Sequence, residues 1–194
     1  MDYSNGDTLK TVWKGSAVTG PVPPALVVCG RSGVHNVLTV AWTGIVNSHP
    51  PVTYVSIRPE RYSYSLIDDS GEFTINMPTS KMAKETDLCG TLTGAKTDKI
   101  AKCGFNLLQS SKISVPVIAE CPLSLECRVL NKIVLGSHTM FLAEILAVQI
   151  DSRLIDSKGK LNLQQAGLLA FSHGEYFALG RKCGNIGFSV KKKH

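Results

Sequence analysis

The most restrictive feature of this sequence is the shortness of its β-type runs and the residues that part them. Between Asn36 and Met77 lie three such runs, Asn36–Trp42, Val52–Ile57 and Glu72–Met77. Pro50-Pro51 separates the first two, and the basic, hydroxyl-bearing segment Arg58-Pro-Glu-Arg-Tyr-Ser63 follows the second. Short runs rich in Val, Ile, Thr and aromatics, bounded by proline or polar residues, read as strands. Many short strands with only a few inserted helices favour a barrel over a doubly wound sheet.

The flanking chain extends this pattern. Pro21-Val-Pro-Pro24 leads into a strand at Ala25–Cys29, and the turn Gly30-Arg-Ser-Gly33 makes a hairpin with Asn36–Trp42. Helices are expected over Arg61–Asp69, stopped by Gly71, over Ser80–Leu88, stopped by Gly90, and over Asp98–Cys103, where Asp98 is a suitable cap. Two long strands follow, Leu123–Ile133 and His138–Ile150, joined by a turn at Gly136-Ser137. The first alternates apolar Leu125, Cys127 and Val129 with polar Ser124, Glu126 and Arg128. The second is apolar on nearly both faces apart from Glu144, and so calls for a barrel interior on one side and a subunit interface on the other. After the polar connection Asp151–Asn162, Leu168–Phe171 and Tyr176–Leu179 are short closing strands. The division expected is a lead-in over 1–20 with Trp13 anchoring it to the body, one domain over 21–190, and a basic tail over 191–194.

Bulk properties narrow the function classes. A 43% hydrophobic, 19% charged chain of 194 residues holds enough apolar material for one buried core. It contains no apolar run near the roughly 20 residues of a membrane span, and the polar start Met1–Asp7 is unlike a secretory signal. The expectation is a cytoplasmic protein that engages no membrane. The net charge of +6 is dispersed apart from Lys191–Lys193, with no basic face interleaved with aromatics, which argues against a nucleic-acid partner but leaves anionic ligands favoured. Of the six cysteines none forms a C-x-x-C pair, and Cys121 and Cys127 sit six apart, so no metal site is expected and the thiols read as free.

Taken one at a time, the candidate residues have both a bland and a functional reading. Arg58, Arg61 and Ser63 lie at the start of a helix, where free N–H groups, the positive helix end and two guanidinium groups suit an anion; equally, Ser63 is an N-cap and the arginines are solvated. Lys99 follows Thr93-Gly94 and Asp98 in a glycine-bearing loop, as surface decoration or as a second cation on a phosphate. Trp42 gives a flat face for stacking or a core filler; Asn36 offers donor and acceptor to a heterocycle edge or serves a turn. His138, after its turn, is structural or sits beside an anionic cofactor. No Ser-His-Asp arrangement is suggested by spacing, and no G-x-G-x-x-G follows a strand.

In combination these segments resemble the flavoredoxin branch of the flavin reductase-like family. The ordered series is Asn36–Trp42, Pro50-Pro51, Ser56–Ser63, Gly71–Asn76, Cys89-Gly90, Thr93-Gly94 with Asp98-Lys99, Leu125–Cys127, Gly136–His138, and Tyr176 with Leu179-Gly180. The resemblance implies a mainly β fold, a six-stranded antiparallel Greek-key split β-barrel with a few short helices, assembled as a homodimer with FMN near the subunit interface. It implies FMN contacts from Asn36 and Trp42 at the flavin, from Ser63 and Lys99 at the phosphate, from Tyr62, Thr93 and Gly94 in the same motifs, from backbone around Thr39, Val40, Ala41 and Thr43 and around Ser56 and Arg58, and from His138 and Phe171 completing the site. Ser63 and Thr93 depart from the usual threonine and serine at their positions, each conserving the hydroxyl. The implied activity is FMN-dependent oxidoreduction, fed by NAD(P)H or a protein electron carrier; the alternative is an FMN-binding electron carrier that turns over no small substrate.

Overall fold

The computed structural model describes residues 10–190 except Ser32, so the lysines of the 191–194 tail lie outside the described residues. In chain order it contains β1 Ala25–Arg31, β2 Val34–Val40, β3 Thr43–Ser48, β4 Pro51–Ile57, α1 Tyr62–Ser70, β5 Glu72–Met77, α2 Ala83–Thr91, α3 Lys99–Cys103, β6 Leu107–Leu108, β7 Val117–Ile118, β8 Leu123–Val134, β9 Thr139–Ile150, β10 Leu169–Ser172 and β11 Glu175–Ala178.

Seven strands form one antiparallel sheet in the order β2-β1-β5-β8-β9-β4-β3. Six of them, all but β3, supply the residues of a single interior: Val27 and Cys29 from β1, Leu38 from β2, Val55 from β4, Phe73 from β5, Cys127 from β8 and Phe141 from β9, with Ile67 of α1 plugging it. A sheet in which β2 and β4, first and sixth in the order, share one core must be curled, and the two meet without a ladder between them. This is the expected mainly β split barrel. Three strands are absent from the sequence reading, the short pair β6 and β7 and, within the main sheet, β3, which continues from Trp42 and pairs with β4 through a bulge at Val46. Its side chains are mostly exposed, so it lacks the apolar alternation by which strands are recognised.

β1 is buried on both faces. Its alternate residues Leu26 and Val28 point out of the barrel into a second cluster with Val37, Met82, Cys89, Phe105, Ile113, Val115 and Ile118. That outer layer is made by α2, α3 and the 105–121 segment, and it is what holds the two helices against the barrel wall.

Three local expectations change. α2 runs through Gly90 to Thr91 rather than stopping there; a Cβ on Gly90 would lie 3.3 Å from the Thr39 side chain, so this glycine serves helix-to-strand approach and not termination. Ser63 does not cap α1: Arg61 holds the cap position without a side-chain bond, and Ser63 is buried inside the helix. Trp13 does not anchor the lead-in, being 72% exposed in a segment, residues 10–20, that forms no helix or strand. Asp98 does cap α3, accepting from the Ala101 N–H at 3.0 Å. Among the described residues no helix is long and apolar enough to cross a membrane.

Candidate functional site

Where β2, the start of α1, the end of α2 and the loop into α3 converge, they enclose a cavity of about 420 Å³. That is within the size range of small-molecule sites. Asn36, Thr39, Arg58, Arg61, Tyr62, Ser63, Thr93, Gly94 and Lys99 line it, together with Leu38, Glu60, Cys89, Gly90 and Leu92. Thr39 and Arg58 are shared with an adjoining depression of about 180 Å³ formed by Val40, Ala41, Trp42, Ser56, Ile57 and His138. Thr39 and Ala41 also border a third hollow that contains Phe171, and Thr43 lies with Trp42 in a fourth. Every residue that the sequence singles out for a site therefore lines one of four hollows, each sharing Thr39 or Ala41 with a neighbouring one.

The floor of the main cavity is Lys99. Only 3% exposed, its ammonium donates to the Cys89 carbonyl at 3.0 Å and the Leu92 carbonyl at 3.3 Å. An ammonium has three donors, so one remains for a ligand. Burial pulls the Lys99 pKa below the ordinary lysine value, the nearby thiols of Cys89 and Cys29 act against that, and Arg61 adds to it. An unpaired buried cation beside a second cation is costly, and an anion entering the cavity relieves the cost.

The wall opposite is built by long-range contacts that fix its rotamers. The Asn36 amide donates to Ser63 Oγ at 2.6 Å, tying β2 to α1. The Thr39 hydroxyl donates to the Thr86 carbonyl and ties β2 to α2. Arg61 reaches the Gly90 carbonyl at 3.3 Å, and Arg58 pairs with Glu60 at 3.4 Å at the solvent side. Gly94 packs directly on the Asn36 amide and the Tyr62 ring: an added Cβ would overlap the Asn36 side chain and come within 2.8 Å of Tyr62 Cδ1. Its φ is not in the left-handed region, so glycine is needed here for space alone. Gly94→Ala is expected to push the loop outward or the Asn36 amide off Ser63. Anion affinity for the cavity should then fall about tenfold, the equivalent of one lost hydrogen bond, as measured by titration calorimetry with inorganic phosphate or a phosphorylated ligand.

In the adjoining depression the Trp42 indole, 42% exposed, lies against the His138 ring with centroids 4.4 Å apart and planes tilted by 43°. Burial and then the charge of Arg58 lower the His138 pKa, which favours the uncharged ring beside the indole, and its Nδ1 lies 2.9 Å from the Ser137 hydroxyl. An exposed aromatic face beside a cationic cavity is chemistry for a flat ring carrying a phosphate. Phe171 sits apart from this pair, stacked on Tyr176 at 5.3 Å.

Two lining residues escape a reading of the sequence. Glu60 lies between two arginines, and its carboxylate at the rim is visible only once Arg58 folds back onto it. Leu92 contributes a backbone carbonyl, which carries no signature in a sequence.

The flavin reductase like domain family matches residues 19–180. An uncharacterised protein of Archaeoglobus fulgidus is 40% identical over 142 residues, 73% of this chain and 80% of its own length. The structure is similar to the flavoredoxin of Desulfovibrio vulgaris (Miyazaki F), with a TM-score of 0.87 and 27% identity over 94% of this chain and 100% of that one. It is similar also to a flavoredoxin from Methanosarcina acetivorans, with a TM-score of 0.84 at the same identity and coverage.

Proposed function

The chain belongs to the flavin reductase-like domain family, and from that membership we propose that it binds FMN in the Lys99 cavity and acts as an oxidoreductase. When bound, FMN supplies the hydride and electron chemistry; the chain supplies binding, orientation and electrostatics. The observation that carries this reading is the buried Lys99 ammonium with a donor to spare, in a cavity that shares Leu38, Thr39, Arg58 and Arg61 with the depression at the Trp42–His138 pair. Lys99, Ser63 and the backbone at Thr93 and Gly94 would hold the phosphate, with Arg58 and Arg61 drawing it in. Asn36, Trp42, His138 and the backbone at Thr39–Thr43 and Ser56–Arg58 would frame the ring system, and Phe171 with Tyr62 would close its flanks. The size of the cavity, about 420 Å³, fits such an occupant.

The same reading takes residues 21–190 as the FMN-binding unit, in a cytoplasmic homodimer. Supporting the dimer are apolar side chains that the single chain leaves uncovered along the long hairpin, among them Leu130, Val134, Leu135 and Val148. The reductant would be NAD(P)H approaching an open ring face, or a protein electron carrier. Similarity to two flavoredoxins favours keeping a second reading, an FMN-binding electron carrier without turnover of a small substrate.

Both readings require that added FMN lose its fluorescence on titration with the protein, at one FMN per chain. Undiminished fluorescence at high protein concentration sinks both. Anaerobic mixing with NADH or NADPH then separates them: bleaching of the flavin band on a catalytic timescale identifies the enzyme. Bleaching only by a reduced carrier protein identifies the electron carrier.

A further inference from the structure

Cys89, in the last turn of α2, and Cys103, the final residue of α3, face each other across the contact between the two helices. Their Sγ atoms are 3.7 Å apart. A disulfide bond is about 2.0 Å long, so these are separate thiols within a small side-chain movement of bonding. The chain between them, 14 residues in separation, carries Leu92, Thr93, Gly94 and Lys99, which form one wall of the cavity. Cys89 is itself part of that wall, and its carbonyl holds the Lys99 ammonium.

We propose that Cys89 and Cys103 are a reversible dithiol–disulfide couple, oxidised by a low-molecular-weight disulfide, that staples the cavity loop in place. Cys103, only partly buried, is the entry thiol and the buried Cys89 resolves it. The Cys103 thiolate attacks one sulfur of the incoming disulfide, whose S–S bond breaks, and the first small thiol leaves and takes up a proton. Cys89 then loses its proton, and its thiolate attacks the Cys103 sulfur, expelling the second small thiol. Two protein thiols and one small disulfide thus become one protein disulfide and two small thiols, and excess thiol reverses the exchange. Burial pushes the Cys89 thiol up to about 12 and raises that of Cys103 as well. Thiolate is therefore scarce at neutral pH, and the exchange accelerates about tenfold per pH unit below the entry thiol's pKa. None of this depends on what occupies the cavity.

The test uses the full chain with Cys183→Ser, which removes the one fully exposed thiol among the described residues. Equilibration with glutathione disulfide at alkaline pH, followed by non-reducing peptide mapping, is expected to join the Cys89 and Cys103 peptides in a single cross-link that dithiothreitol undoes. With Cys89→Ser the reaction stops at a glutathione adduct on Cys103; with Cys103→Ser no adduct forms on Cys89. Tryptic cleavage after Lys96, in the stapled loop, slows several-fold in the oxidised protein. Both thiols remaining free in protein that stays folded overturns the couple. A cross-link that leaves cleavage after Lys96 unchanged overturns the staple.

Discussion

Lys99→Ala is expected to raise the dissociation constant for FMN by about 10- to 100-fold, since a hydrogen bond to a charged group contributes about 1.5–3 kcal/mol and each 1.4 kcal/mol is tenfold. Riboflavin, which has the same ring system and no phosphate, should bind wild type and variant alike. That contrast assigns the loss to the phosphate contact, whereas equal weakening of both ligands would mean that the cavity itself had collapsed. Collapse is a real alternative because the ammonium also satisfies the carbonyls of Cys89 and Leu92. A thermal melt of the variant without ligand measures that part. The pH dependence follows from the sign of the shift. Only protonated Lys99 attracts the phosphate, and burial lowers its pKa from the ordinary lysine value. FMN affinity should therefore begin to fall as pH rises at values where an exposed lysine is still fully charged, and the Lys99→Ala variant should show a flat profile there. Adding Ser63→Ala should weaken FMN further but less than additively, because both side chains would act on the same phosphate.

What the sequence discloses and what it hides divide along a physical line. A strand with one clean apolar rhythm, such as the Phe73-to-Ile75 run, is legible because alternate residues enter the barrel interior, and Ala25–Cys29 is legible as a continuous apolar run because both of its faces are buried. The hydroxyl and cationic positions are legible as a set of candidates, but their roles are not. Ser63 looks like a helix cap because hydroxyls favour caps, yet the Asn36 amide from across the barrel claims it. Lys99 looks like a surface lysine because lysines are seldom buried, and only the two carbonyls of the loop it closes explain its burial. Gly90 and Gly94 look like stops and turns; both are spacers whose neighbours, Thr39, Asn36 and Tyr62, lie far away in sequence. For Ser63, Gly90 and Gly94 the deciding partner is a tertiary neighbour outside any local window, and for Lys99 it is a pair of backbone carbonyls seven and ten residues back, which carry no side-chain signature.

Glu126 is the sharpest instance and carries the second large effect. By alternation it belongs to the polar, outward face of β8, and that face would ordinarily meet water. Here the 105–121 segment covers it: Glu126 is 0% exposed. Its carboxylate accepts from the backbone N–H of Ser111 at 2.9 Å and of Lys112 at 2.7 Å, from the Ser111 hydroxyl at 3.1 Å and from the Gln149 amide at 2.9 Å. Burial alone would push its pKa up, but these bonds together bring it below the ordinary glutamate value. A buried carboxylate so held pins the covering segment, and with it the outer core of Phe105, Ile113 and Val115, to the barrel. Glu126→Ala removes the one acceptor that gathers those donors and unpins the covering segment from the barrel, and should cost about 2–3 kcal/mol of stability. In a domain of this size that is a fall in melting temperature of roughly 5–10 °C. For a group whose folded pKa is depressed, the stabilisation is present above the unfolded value and disappears as pH falls through the folded one. Urea titrations should therefore show the gap between wild type and Glu126→Ala at full width at neutral pH and narrowing below about pH 4. A gap that does not change with pH would mean that the side chain acts by filling space and not by its charge. FMN affinity measured on the folded variant should be unchanged, because Glu126 lines none of the hollows joined at Thr39 and Ala41.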